Sequence, residues 1–202
     1  MTAADTWPPP RIPLPAGDEL DPAQRAVFDT MISGPRGRVV GPIRAAIHNP
    51  ELAERWQHLG ALLRYGTSLS PRVKELAILV TARHWDSRLE WILHTTHAAN
   101  AGVPSGLAEA VRQNRIPDFD DPSDRAVYEF VAGLLRAHDV SDEVYGGVLR
   151  SFGVPGVVEL TALVGYYSMV AMTLNVHRIP LPDGGTTEDP FPPPHTNLDT
   201  EM

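Results

Sequence analysis

The chain contains no cysteine. That absence removes disulfides, thiolate catalysis and every zinc or iron–sulfur site built on cysteine. Basic charge is also short: the formal net charge is −8, with no lysine- or arginine-rich stripe, which argues against a nucleic-acid partner. Residues 1–20 hold no apolar signal core, and no run approaches the roughly 20 apolar residues of a membrane span. The expectation is a cytoplasmic protein without a membrane partner. No segment keeps the two-residue alternation of a half-buried strand, and no repeat of 20–50 residues is evident.

The 202 residues suffice for one domain with a sizeable core. Residues 1–20 are proline-rich (Pro8, Pro9, Pro10, Pro13, Pro15) and read as an extended arm, with Trp7, Ile12 and Leu14 available for burial. The helical region covers 21–179. Asp21-Pro22 caps a first helix to Ser33, with Val27, Phe28, Met31 and Ile32 as its apolar face. A short helix starts at Gly41-Pro42-Ile43, and a longer one spans Pro50–Tyr65 with Leu52, Trp56, Leu59, Leu62 and Leu63 at helical spacing. Further helices are expected from Ser105 to Gln113, Ser123 to His138, Asp142 to Phe152 (stopping at Gly153) and Pro155 to Asn175. In the last of these, Gly165 suggests a close helix–helix approach. Residues 180–202 form a Pro/Gly/Asp-rich tail with little regular structure. The fold class is all-α, a single-domain helical bundle.

The chemistry is concentrated between Leu69 and Pro104. Ser70 and Pro71 start a helix whose Leu76–Val80 run is apolar nearly all round, so the helix belongs in a core. It carries one acid, Glu75. A carboxylate there needs a partner: Arg72 at i−3, or groups from the next helix. On that next helix Glu90, His94 and His97 follow at i, i+4, i+7, within about 60° of one face. Ser87-x-x-Glu90 is also a capping box, which gives Glu90 a structural alternative. His94 is the candidate proton shuttle, with a backbone-bonded structural histidine as its alternative. Two carboxylates beside one imidazole would separate an acid from a base. His97 could complete a metal site, but the spacing is not that of the common helical metal motifs, and no metal is expected. Arg64 and Arg72 could present a guanidinium to an anionic substrate. Trp85, Trp91, Tyr166 and Tyr167 could line a pocket or simply pack the core. His48 and His177 receive no role.

The run Arg72-x-x-Glu75-Leu-Ala-Ile-Leu, then Glu90-Trp91-x-x-His94-x-x-x-Ala98-x-x-x-Gly102, resembles the signature of the carboxymuconolactone decarboxylase family, related to the alkylhydroperoxidase D proteins. The similarity extends from Gly41-Pro42 to Asn175. Peroxidase members carry a Cys-x-x-Cys pair, whose places are held here by Ser87 and Glu90, while their glutamate and histidine match Glu75 and His94. The resemblance implies an alkylhydroperoxidase D-like bundle and a cofactor-free lyase acting on a small cyclic acid or related carbonyl compound. Catalytic roles would fall to His94, Glu75 and Glu90, and substrate contacts to Arg64, Arg72, Trp91, His97 and Tyr166. It also implies a homo-oligomer, a trimer or a hexamer. A thiol peroxidase, a metal-dependent enzyme and a non-catalytic binding relative stand as alternatives.

Overall fold

The computed structural model describes residues 8–34, 37, 39, 41–181 and 189–192. Among these the only regular structure is helical: α1 (Pro22–Ser33), α2 (Ile43–Ala46), α3 (Pro50–Tyr65), α4 (Pro71–His84), α5 (Arg88–Asn100), α6 (Ser105–Arg112), α7 (Pro122–Ala137) and α8 (Asp142–His177). Four of them begin with proline at the first turn behind a capping side chain. Asp21, Asn49 and Ser70 accept from the backbone N–H of Gln24, Leu52 and Val73, and Asp121 accepts from that of Ser123. Proline fixes φ for the helix and gives up an N–H that has no intrahelical partner there. α7 therefore starts one residue earlier than its Ser123 suggested.

α4 is the hub, packing against α5, α6, α7 and α8. Nine of its residues are buried, which is why its sequence is apolar nearly all round. α8 is two helical segments joined at a kink, and they are the two expected on either side of Gly153. At Gly153 φ is 67° and ψ −179°, a conformation closed to residues with a Cβ, and Pro155 follows. By length and composition α8 could cross a membrane, but half of its most apolar window is buried inside this molecule, as in a core helix.

Two expectations about faces fail. On α3 the inward residues are Ala53, Trp56, Gln57, Gly60 and Leu63, while Leu52, Leu59 and Leu62 point outward. The helix packs this face against α1, α2 and α8 and turns three of its leucines away. Ile32 of α1 is likewise exposed. Among the described residues Gly165 meets no atom within 4 Å of where a Cβ would stand, so none of the described helices approaches it closely.

The arm packs on its own chain. The Arg11 backbone N–H donates to the His177 carbonyl (3.1 Å), and His48 Nε2 bonds the Pro13 carbonyl (2.8 Å). Ile12 and Leu14 pack against the core; Trp7 lies outside the described residues. In the tail Phe191 is buried against Trp91, ring centroids 5.4 Å apart, and Arg88 pairs with Asp189.

Candidate active site

Four helices deliver one polar cluster into the core. α3 gives Arg64 from its last turn, α4 gives Glu75, α5 gives Glu90 and His94, and α8 gives Tyr167. All five side chains are largely shielded from solvent; Glu75, Glu90 and His94 are each less than a tenth exposed. Such groups persist in an apolar interior only when they satisfy one another.

His94 Nδ1 lies 2.6 Å from Glu75 Oε2, and His94 Nε2 lies 3.4 Å from Glu90 Oε2. Arg64 Nη1 approaches the same Nε2 at 3.3 Å and donates to the Tyr167 hydroxyl at 3.0 Å, while Arg64 Nη2 lies 3.6 Å from Glu75 Oε1. A guanidinium can only donate. With Arg64 donating, Nε2 accepts and Nδ1 carries the proton shared with Glu75. The ring is further held edge-on against Tyr167, centroids 5.3 Å apart.

Burial works to raise the Glu75 carboxyl, but the hydrogen bond and charge of His94, with Arg64 behind them, outweigh it and hold the group below its ordinary value. Burial pushes the Tyr167 phenol far up, Arg64 opposing only in part, so Tyr167 stays protonated. For Arg64, burial is outweighed by Tyr167 and Glu75, and the guanidinium remains charged.

Beside this cluster is a cavity of about 300 Å³ lined by Leu63, Arg64, Tyr65, Pro71, Lys74, Glu75, Ile78, His97, Asn100, Ala101 and Leu163. Its walls are mainly aliphatic, with Lys74, Asn100 and His97 contributing polar groups. Burial, and then repulsion from Arg64, lower the Lys74 ammonium, which donates to the Arg64 carbonyl at 2.6 Å. Glu75 and Arg64 belong to both cavity and cluster, whereas His94 and Glu90 lie behind them.

The structure thus brings Glu75, Glu90, His94 and Arg64 together and sets His97 at the cavity, its ring 5.6 Å from that of His94. Ser87 makes no side-chain cap bond, so Glu90 is not held in a capping box and turns inward. Three residues expected at the substrate do not line the cavity. Arg72 faces α7 rather than α5, binding Asp124 through Nε (3.1 Å) and Nη2 (2.5 Å), because that buried carboxylate offers a two-pronged partner. Trp91 is turned towards Phe191, and Tyr166 packs edge-on against Tyr167 at 5.3 Å. Lys74 and Asn100 are the residues that sequence reasoning missed, and Tyr167 it offered only as a pocket or core aromatic, with Tyr166 preferred at the substrate. The Tyr166-Tyr167 pair marked the place, but neighbours on a helix differ by about 100° in direction, and only packing selects between them. No three of the described His, Asp and Glu side chains converge as a metal-holding group.

The model of the carboxymuconolactone decarboxylase family matches residues 50–132, the segment that carries Arg64, Glu75, Glu90, His94 and His97 but not Tyr167. No curated protein matches the sequence. Among solved structures, an uncharacterized peroxidase-related protein from Silicibacter sp. superposes with a TM-score of 0.70 at 19% identity, over 89% of this chain and 96% of that one. A protein of unknown function from Agrobacterium tumefaciens, proposed to be an AhpD antioxidant defence protein, gives 0.61 at 15% identity, over 71% of this chain and 99% of that one. At these identities the likeness shows a shared fold, of the alkylhydroperoxidase D type.

Proposed function

We propose, from the match of residues 50–132 to the model of the carboxymuconolactone decarboxylase family, that the protein is a cofactor-independent lyase acting on a small cyclic carboxylic acid or carbonyl compound. The observation that carries this reading is the 2.6 Å contact between His94 Nδ1 and Glu75 Oε2 at the wall of an aliphatic cavity.

The cluster has room for one exchangeable proton. Arg64 contributes one positive charge, and Glu75 and Glu90 one negative charge each. A single added proton therefore makes the buried group neutral, which a low-dielectric interior favours. Its place is His94 Nε2, which lies 3.4 Å from Glu90 Oε2 and, on taking the proton, exchanges the Arg64 N–H for that carboxylate as its partner. Glu75, which touches both the cavity and His94, is the group that hands the proton to substrate. Arg64 is committed to Tyr167, Glu75 and His94, so Lys74 and Asn100 are left to receive the substrate's carboxylate.

In a decarboxylation, the C–C bond to the carboxylate breaks and its electron pair moves into an adjacent carbonyl as an enolate. Carbon dioxide leaves. Glu75 then protonates the carbon with a proton drawn from His94, and solvent restores it. The same groups serve an enol isomerisation without loss of carbon dioxide. Peroxide reduction by a thiol, which the names of the structural relatives bring to mind, needs a thiolate that this chain does not possess.

The test is an assay of protein dialysed against a chelator with a panel of small cyclic oxo-acids and lactone acids. Carbon dioxide release and product are read by mass spectrometry and NMR. Turnover that His94→Gln abolishes supports the reading; turnover of none, or turnover restored only by a metal, overturns it.

We also infer a homo-oligomer. The outward stripe of α8 carries Val154, Val158, Gly165, Met172 and Val176, and α3 exposes Leu52, Leu59, Leu62 and Tyr65, the last of them at the cavity. A second copy, equally acidic but apolar here, is the occupant that removes this surface from water. Sedimentation should give a multiple of 22.1 kDa, and a monomer at micromolar concentration would end the idea.

A further inference from the structure

At the far end of α4 a groove of about 510 Å³ opens between the C-terminal ends of α4, α6 and α7. Three guanidinium groups line it, those of Arg83, Arg115 and Arg136, against a single carboxylate, Asp86. In a chain of net charge −8 this is a local inversion of sign. The floor is apolar: Val80, Val111 and Tyr128 are buried beneath the arginines, with Ala132 and Leu135 beside them.

Helix C-termini attract cations in any case, because their carbonyls carry partial negative charge. Much of that demand is already met. Arg83 Nε donates to the Arg112 carbonyl at 2.8 Å, and Arg83 also takes Asp86 as its ion-pair partner and lies 4.9 Å over the Phe191 ring. The α4 end is closed by the backbone N–H groups of Trp85, Asp86 and Ser87, and the α6 end by those of Gln113, Asn114 and Arg115. Glu109 on α6 is gripped by both arms of Arg112 at 2.7 and 2.8 Å and is driven down to about 2 chiefly by that bond. Arg115 and Arg136 then have no ion-pair partner among the described residues. Arg136 is held in place by Asn114 Oδ1 at 3.0 Å, and Asn114 itself sits in the left-handed region at φ 54°.

We propose that this groove is a second ligand site that takes an organic anion, with a carboxylate or phosphate head between Arg115 and Arg136 and an apolar body against Tyr128, Leu135 and Val80. Guanidinium forks match the planar oxygens of either head group, and a cavity of this size lies within the ordinary range for small-molecule sites. The site is separate from the Glu75–His94 cavity. Lys74 and Arg83, one in each, stand nine residues apart on α4, roughly 13 Å along its axis.

Calorimetric titration of the full chain with phenyl phosphate, benzoate, inorganic phosphate and phenol tests this. At least one of the two aromatic anions should bind, and the tighter of them names the head group. Inorganic phosphate and phenol should each be weaker by about tenfold or more, since each keeps only one half of the recognition. The double substitution Arg115→Gln with Arg136→Gln should weaken the aromatic anion by about tenfold or more, while Arg150→Gln, on exposed α8 surface, should not change it. Both replaced arginines are exposed, and an unaltered Tm verifies the fold. Absence of saturable binding, binding that survives the double substitution, or equal weakening by Arg150→Gln overturns the proposal and leaves the arginines as helix-end counter-charges.

Discussion

His94 of α5 and Glu75 of α4 share a proton across 2.6 Å, although 19 residues separate them in the chain. Under the proposed function the two act as one unit, so their losses should not add. His94→Gln keeps a polar group but cannot cycle a proton near neutral pH, and should lower kcat by about 10²–10⁴. Glu75→Gln should cost a comparable amount, and the double mutant little more than the worse single. Near-normal turnover by His94→Gln would make the histidine structural and shift the chemistry to Glu90 and His97.

The same contact sets an acid limit to stability. Glu75 is held below its ordinary 4.5 in the folded state, the net result of burial raising it and of His94 and Arg64 lowering it further. The unfolded chain therefore binds more protons there than the folded one. Stability from this group is present above the unfolded value and is lost as pH falls below it through the folded one. Urea midpoints measured from pH 6 to 3 should decline, and Glu75→Gln should flatten the decline. A parallel decline in the variant would assign it to other carboxylates.

Tyr167→Phe should leave the ring against His94 and remove only the acceptor of Arg64. A shielded guanidinium N–H then lacks its partner, a loss of about 1–3 kcal/mol in unfolding free energy. Activity should fall as well, because Arg64 would no longer be fixed beside Nε2. If stability and kcat both match the parent, the phenol does not position Arg64.

Arg72 and Asp124 form a structural pair, so their effects should fall on stability rather than chemistry. Arg72→Ala uncovers a buried carboxylate, and with Arg72 itself about a third exposed the expected cost is about 1–3 kcal/mol. A double-mutant cycle with Asp124→Asn should show coupling, with turnover per folded molecule unchanged. Lost turnover at unchanged stability would return Arg72 to the substrate.

The sequence by itself determined the helices and three of the five side chains of the polar cluster, Glu75, Glu90 and His94. Caps followed by proline at Asp21, Asn49, Ser70 and Asp121 are local signals, satisfied within one turn of backbone, and so they can be read without knowing the fold. Glu75 announced itself as an acid in a helix buried all round, and Glu90 with His94 as neighbours one turn apart. What only the tertiary structure decided was direction and partnership. Helical spacing says which residues share a face, but not which face the rest of the protein covers. Leu52, Leu59 and Leu62 of α3 point outward, while Ala53, Trp56, Gly60 and Leu63 face the rest of the bundle. Arg64 rather than Arg72 joined the cluster, and Tyr167 rather than Tyr166, because each choice turned on a side chain from a distant helix. Asp124 claimed Arg72, and His94 with Arg64 claimed Tyr167. Such pairings are set by the desolvation of buried charge, which acts only once the helices have met.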